Sequence, residues 1–274
     1  MALLPEQPDA NLLHCKIVCH LLLVITSILV TFSNLSTSAA MHTDDPVLEG
    51  ETQPGKFGRQ ITRESVSQQA YKALRNSLMR SRLKPGQKLL ARQVADELGI
   101  SVTPVRESLL RLVSEHALDM DDRGTVMVPN LALERCIEIR DLRMVIEGEG
   151  AARAALTATE HDINELMKIH HRYVETESSS NFATALAENE NFHFGLCHLA
   201  KSPVLFRMVE NLWMQFGPIL SYLYDGRERP FHGQKHGHVL VLEALRKRDS
   251  ALARQAISDD ILIGGKALLE KLQS

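Results

Sequence analysis

The stretch Leu89-Leu-Ala-Arg-Gln-Val-Ala-Asp-Glu-Leu-Gly-Ile-Ser-Val-Thr-Pro-Val-Arg-Glu-Ser-Leu-Leu-Arg-Leu112 decides the fold of this chain. Its first half predicts a short helix from about Ala91 to Leu98 that stops at Gly99, a residue suited to the left-handed backbone that closes a helix. A second helix is expected to open at Thr103 as N-cap, with Pro104 at the first helical position, where its missing N–H costs nothing. Val105, Leu109, Leu112 and Val113 fall on one face of it and point inward. Upstream, Val66, Ala70, Ala73, Leu74 and Leu78 share the face of an earlier helix, and Leu83-Lys84-Pro85-Gly86 supplies a turn. Downstream, Asp121-Asp122-Arg123-Gly124 reads as a turn between short strands that end in Thr125-Val-Met-Val128. Helix, helix, turn, helix, hairpin is the order of a winged helix-turn-helix, expected over residues 61–130.

Charge supports that reading. The whole chain carries a formal −3 over 274 residues, which would argue against nucleic acid if it were spread evenly. From Arg63 to Arg111, however, ten Lys or Arg face four acids, a local +6 that leaves −9 elsewhere. A positive module on an acidic body suits a protein that offers itself to phosphate while staying dispersed. Composition of 44% hydrophobic and 24% charged residues is ordinary globular usage, with length enough for two domains.

The quoted stretch, the Lys84-Pro85-Gly86 turn and the Arg123-Gly124 tip together closely resemble the GntR family of bacterial repressors. The resemblance implies that the helix from Thr103 enters the major groove, that Arg92 and Arg106 contact bases or phosphates, and that the wing at Gly124 approaches the minor groove. Physics agrees: Arg106 lies in the first turn of the third helix, where such proteins present side chains to base edges. Ser101 and Thr103 can donate to phosphate oxygens, and the exposed N–H groups of that helix add to the attraction. Val102 stands where some relatives have arginine, so one polar contact is missing and a different operator is expected.

Before the winged module, residues 1–60 read as an extension. Residues 41–60 are polar, rich in Gly and Pro and without periodicity, a flexible arm. Leu21–Phe32 is an apolar run of 12 residues that resembles a signal peptide, short for a membrane span, which needs roughly 20. The expectation is that translation begins at Met41; the competing expectation is a membrane-tethered regulator that keeps residues 17–32. Cys15, Cys19, Cys136 and Cys197 show no paired metal spacing beyond a weak Cys-x3-Cys, consistent with a reduced, cytoplasmic chain.

From Leu133 to Leu272 there is no strand signal and about six helices, so residues 133–272 are expected to form an all-α bundle and the whole to be mainly α. The clearest helix has Thr159 and Asp162 as a capping pair, followed by Ile163, Leu166, Met167, His170 and Val174 at helical spacing. Arg143-Met-Val-Ile-Glu147 and Asn189-Glu-Asn-Phe-His193 resemble the FCD-type effector domain of one large GntR subgroup. That resemblance implies a metal held where Asn189, His193, His238 and Asp260 stand, although the family uses one Asp and three His and only two of the four residue types are kept.

Helical spacing places those residues inward independently. Asn189 and His193 lie four apart on the face of Leu186, Leu196 and Ala200; His238 shares a stripe with Val241, Leu242 and Leu245; Asp260 falls in line with Ala253, Ala256, Ile257 and Gly264. Buried imidazoles and carboxylates must pair with each other, with water or with an ion. The metal-free alternative is a network of His193 with Asn189 and His238 with Asp260. With metal, two imidazoles and one carboxylate suit Zn²⁺ or Ni²⁺, held more weakly because a neutral Asn oxygen replaces a carboxylate. Arg143 is the candidate clamp for the small organic acid that the resemblance implies, unless it pairs with Glu147 one turn on. His170, His171, His198, His232 and His236 read as solvated or structural.

The expected function is a sequence-specific transcription regulator, not an enzyme: a homodimer on a palindromic double-stranded operator, controlled by a small carboxylate metabolite bound in the metal-containing domain. The alternative is a non-haem metal enzyme, since two His and one carboxylate also describe iron oxygenase sites.

Overall fold

The computed structural model describes residues 65–220, 222 and 236–273. The arm, the Leu21–Phe32 run and His232 lie outside them. Helix α1, Val66–Met79, is capped by Ser65, whose side chain accepts from the Gln68 N–H, and buries Ala70, Tyr71, Leu74, Leu78 and Met79. Val66, expected on that face, is exposed. Strand β1, Lys88–Leu89, follows, then α2, Ala91–Leu98, closed by Gly99 at φ +66°. Helix α3, Val102–Ser114, begins two residues earlier than the cap at Thr103 predicts. Pro104 is then inside the first turn, where N–H groups lack intrahelical partners in any case and its missing donor is still harmless.

Strands β2, Asp119–Met120, and β3, Val126–Met127, form the wing, and β3 pairs antiparallel with both neighbours in the order β1-β3-β2. The tip is tight: Asp121 Oδ1 accepts from the Arg123 and Thr125 N–H groups at 3.0 and 2.8 Å, and Gly124 N–H bonds back to the Asp121 carbonyl. Those backbone donors, that of Thr125 foremost, hold the Asp121 carboxyl below its usual range.

Among the described residues six helices make the rest: α4 Leu133–Thr157, α5 Glu160–Ser178, α6 Phe182–Leu199, α7 Pro203–Leu220, α8 Gly237–Lys247 and α9 Ser250–Gln273. The expected capping box of α5 is present, with Thr159 and Asp162 exchanging bonds. One core packs α4, α5, α6, α8 and α9 through residues such as Ala154, Ile163, Phe192, Leu242 and Ile257. The other runs from Leu78, Leu112 and Leu118 of the winged module into Ile139, Trp213 and Ile219 of the bundle, so the two halves share buried apolar surface.

Their junction is also polar. Arg75 pairs with Glu210, Ser81 Oγ donates to the Gly217 carbonyl, Asn211 donates to the Glu115 carbonyl at 3.1 Å, and Arg80 Nε donates to Glu190 at 3.1 Å. Helix α7 meets α1 at Gly217, where a Cβ would stand 2.5 Å from the Leu78 carbonyl oxygen and 2.7 Å from Met79 Cα. Backbone on backbone leaves nothing flexible to yield. Gly217→Ala is therefore expected to destabilise the protein by about 1–3 kcal/mol, as overpacking does; a thermal melt with an unchanged midpoint would contradict this.

Candidate DNA interface and buried histidine centre

Arg92, Ser101, Thr103, Arg106 and Gly124, the residues singled out for DNA, are all exposed. Helix α3 and the wing bound a groove of about 370 Å³ lined in part by Leu90, Arg106, Leu110, Met120, Arg123 and Gly124. Among the described residues neither Arg92, Arg106 nor Arg123 is engaged in an ion pair, so three guanidinium groups are available to an outside anion. Arg111 is not. Its Nε donates to Glu115 at 3.0 Å and its guanidinium lies 3.8 Å from the Tyr71 ring, while the Tyr71 hydroxyl donates to Glu115 at 2.6 Å. This trio fastens the end of α3 to α1, and burial together with Glu115 pushes the Tyr71 hydroxyl up to about 12.

Within the bundle, His193, His238 and Asp260 converge, each offering a ligand atom within 4.8 Å of the others. All three are buried, whereas Asn189 is half-buried one turn before His193. His193 does not pair with Asn189. Its Nδ1 lies 2.6 Å from Glu147 Oε2 and its Nε2 lies 3.3 Å from Asp260 Oδ2. His238 Nε2 is 3.9 Å from Asp260, beyond hydrogen-bond reach.

Glu147 is the hub. Fully buried on α4, it accepts from Arg143 Nε at 2.7 Å, from Trp213 Nε1 at 3.0 Å and from His193. Arg143 is thus paired one turn along its own helix, with its guanidinium 4.1 Å from the Trp213 ring. Burial alone would raise the Glu147 carboxyl, but Arg143 and His193 overcome it and hold it at about 2. Burial likewise lowers the His193 imidazole, and Glu147 and Asp260 more than reverse it.

Two histidines read from sequence as solvated or structural, His170 and His236, are buried beside His238 and form a second convergent group with it. His171 and His198 are exposed, as that reading expects. Burial lowers the imidazoles of His238, His236 and His170, the last to about 4, which keeps them neutral with a lone pair each. The His236-Gly237-His238 run was the available signal: Gly237 lets the backbone approach Asp260 so closely that a Cβ there would sit 2.7 Å from Asp260 Oδ1. Nothing in the spacing could mark Trp213 as a partner of Glu147. Imidazoles and a carboxylate, with orphaned buried nitrogens on His170 and His238, fit a borderline divalent ion, and either group could hold one.

A winged helix-turn-helix with exposed arginines on its third helix and wing, packed on a helical bundle around a buried histidine centre, defines a class of two-part DNA-binding regulator. The pattern "Bacterial regulatory proteins, gntR family" matches residues 66–128 and "FCD domain" matches residues 138–262. HTH-type transcriptional regulator McbR of Escherichia coli (strain K12) is 31% identical over 197 residues, 71% of this chain and 89% of that protein. The chain belongs to the GntR family and is a DNA-binding transcription regulator, so the enzyme alternative falls. HTH-type transcriptional repressor RspR of the same organism is 24% identical over 199 residues, covering 72% and 86% of the two chains. The solved structure described as E. coli McbR/YncC superposes with a TM-score of 0.72 at 29% identity, covering 77% of this chain and all of that one. Among the described residues no helix is long and apolar enough to cross a membrane.

Proposed function

We propose that the chain works in the cytoplasm as a homodimer, reads a palindromic operator with Arg106, Arg92, Ser101, Thr103 and the wing at Gly124, and changes its grip when a small organic acid enters the buried centre of its bundle. One observation carries the coupling. Helix α6 bears both His193, in the centre, and Glu190, which accepts from Arg80 just past the end of α1 in the winged module. The two residues are three apart, about 4.5 Å along a helix axis, so a shift or rotation of α6 at the centre moves the Arg80 contact directly. The acid need only favour a helix arrangement that misplaces the two recognition helices.

A divalent ion, Zn²⁺ or Ni²⁺ by donor type, would supply open positions and positive charge for a carboxylate. Around it this chain's own residues do the orienting: Glu147 fixes the ring of His193, and Arg143, shared with Glu147, is the cation for an incoming acid. A gel-retardation assay with DNA upstream of the gene tests the reading. Specific, salt-sensitive retardation that small carboxylic acids weaken is expected, and its absence at every salt concentration would overturn it.

A further inference from the structure

The buried centre offers more imidazoles than the spacing argument uses, and their hydrogen bonding sorts them. We propose that a divalent ion in this chain is held by the three imidazoles of His170, His236 and His238, with Asp260 beside them as an outer carboxylate, rather than by Asn189, His193, His238 and Asp260. This deepens the metal-sensing reading and rests on it.

Both ring nitrogens of His193 already face carboxylate oxygens, Nδ1 toward Glu147 at 2.6 Å and Nε2 toward Asp260 at 3.3 Å. A ring engaged at both nitrogens as a donor keeps no lone pair for an ion. In contrast, His170 Nδ1 and both ring nitrogens of His238 are buried without a hydrogen-bond partner. Buried polar atoms left so are costly unless something absent from the protein chain satisfies them. One ligand nitrogen from each of His170, His236 and His238 lies within 4.8 Å of the other two. Bonds of about 2.0–2.1 Å in tetrahedral geometry require nitrogens about 3.4 Å apart, which side-chain rotations of about an ångström supply.

The positions come from different elements, which gives the group rigidity: His170 on α5, and His236 and His238 at the start of α8. His236 Nδ1 accepts from the His238 backbone N–H at 3.2 Å and stands 3.2 Å from Asp260 Oδ1, which places that carboxylate beside the three imidazoles. His238 belongs to both convergent groups, so the centre takes one ion and not two. Three neutral imidazoles leave the fourth position open and the ion's charge undiminished by a ligand carboxylate, the condition under which an organic anion binds best.

Co²⁺ and Zn²⁺ added to the purified full chain test the assignment. Proton NMR of the Co²⁺-loaded wild type is expected to show three strongly shifted exchangeable imidazole N–H signals; two would overturn it. In a Zn²⁺ competition titration, His170→Gln is expected to weaken binding by more than about 100-fold, beyond the loss of an outer-sphere partner, while Asn189→Ala leaves it unchanged. The reverse ranking, or a wild-type chain that takes up neither ion, also overturns it. Operator retardation with the same preparations separates the outcomes: retained DNA binding leaves the regulator reading standing when the ligand assignment fails. The NMR count needs no variant, so a poorly folded His170→Gln protein does not block the test.

Discussion

Replacing Glu147 with alanine is expected to destabilise the protein by about 3–5 kcal/mol, the loss typical of breaking a buried ion pair from one side. Three donors converge on this one carboxylate, and its removal strands Arg143, itself buried against Trp213, as an uncompensated charge. Glu147→Gln retains the shape but not the charge and should recover only part of the loss. Denaturant unfolding at neutral pH measures both; a change below about 1 kcal/mol for Glu147→Ala, the scale of an exposed ion pair, would show that the network is not what orders the middle of α4.

The pH dependence has a defined sign. The folded carboxyl of Glu147 sits at about 2 against an ordinary 4.5. Its contribution is therefore complete above 4.5 and is lost as pH falls from there through 2. Wild-type stability should decline over that acid window more steeply than that of Glu147→Gln, in which the group no longer titrates.

Arg106→Ala is expected to weaken specific operator binding by roughly 5- to 150-fold, equivalent to about 1–3 kcal/mol of discrimination, while binding to unrelated DNA changes little. The side chain is exposed in the first turns of α3, facing the groove that the wing closes. Arg92→Ala is the contrast: if that residue meets phosphate, all sequences lose affinity alike and the salt slope falls by about 0.9. Competition retardation with specific and unrelated duplexes at several salt concentrations reads both. Equal loss on all duplexes for Arg106→Ala would move it from base reading to phosphate contact.

How much of this was legible differs by element. The α2–α3 unit could be read because its signals are local and agree: Gly99 ends one helix, Pro104 tolerates only the start of another, and Val105, Leu109 and Leu112 repeat at helical spacing. Strand β1 could not. Two residues have no periodicity, and Lys88 and Leu89 are a strand only because β3 lies beside them. The centre shows the same split. Spacing turned His193, His238 and Asp260 inward correctly, because each sits on an apolar stripe of its own helix. It also set His170 on the apolar stripe of α5 without marking it as a ligand, and it missed His236, whose burial depends on the start of α8 meeting α5.

By itself, then, the sequence determined the charge asymmetry, the order of most elements, the α2–α3 pair and the inward placement of His193, His238 and Asp260, the last three from periodicity, caps and turns that are local to each element. Tertiary structure decided which inward polar groups meet: Glu147 with Trp213 and His193, Arg80 with Glu190, and His170 with His236 and His238. The reason is physical. Local backbone preference sets the direction in which a side chain leaves its helix, but the low-dielectric interior selects its partner, and that choice is made only when helices distant in sequence pack and each buried charge or lone pair must find another.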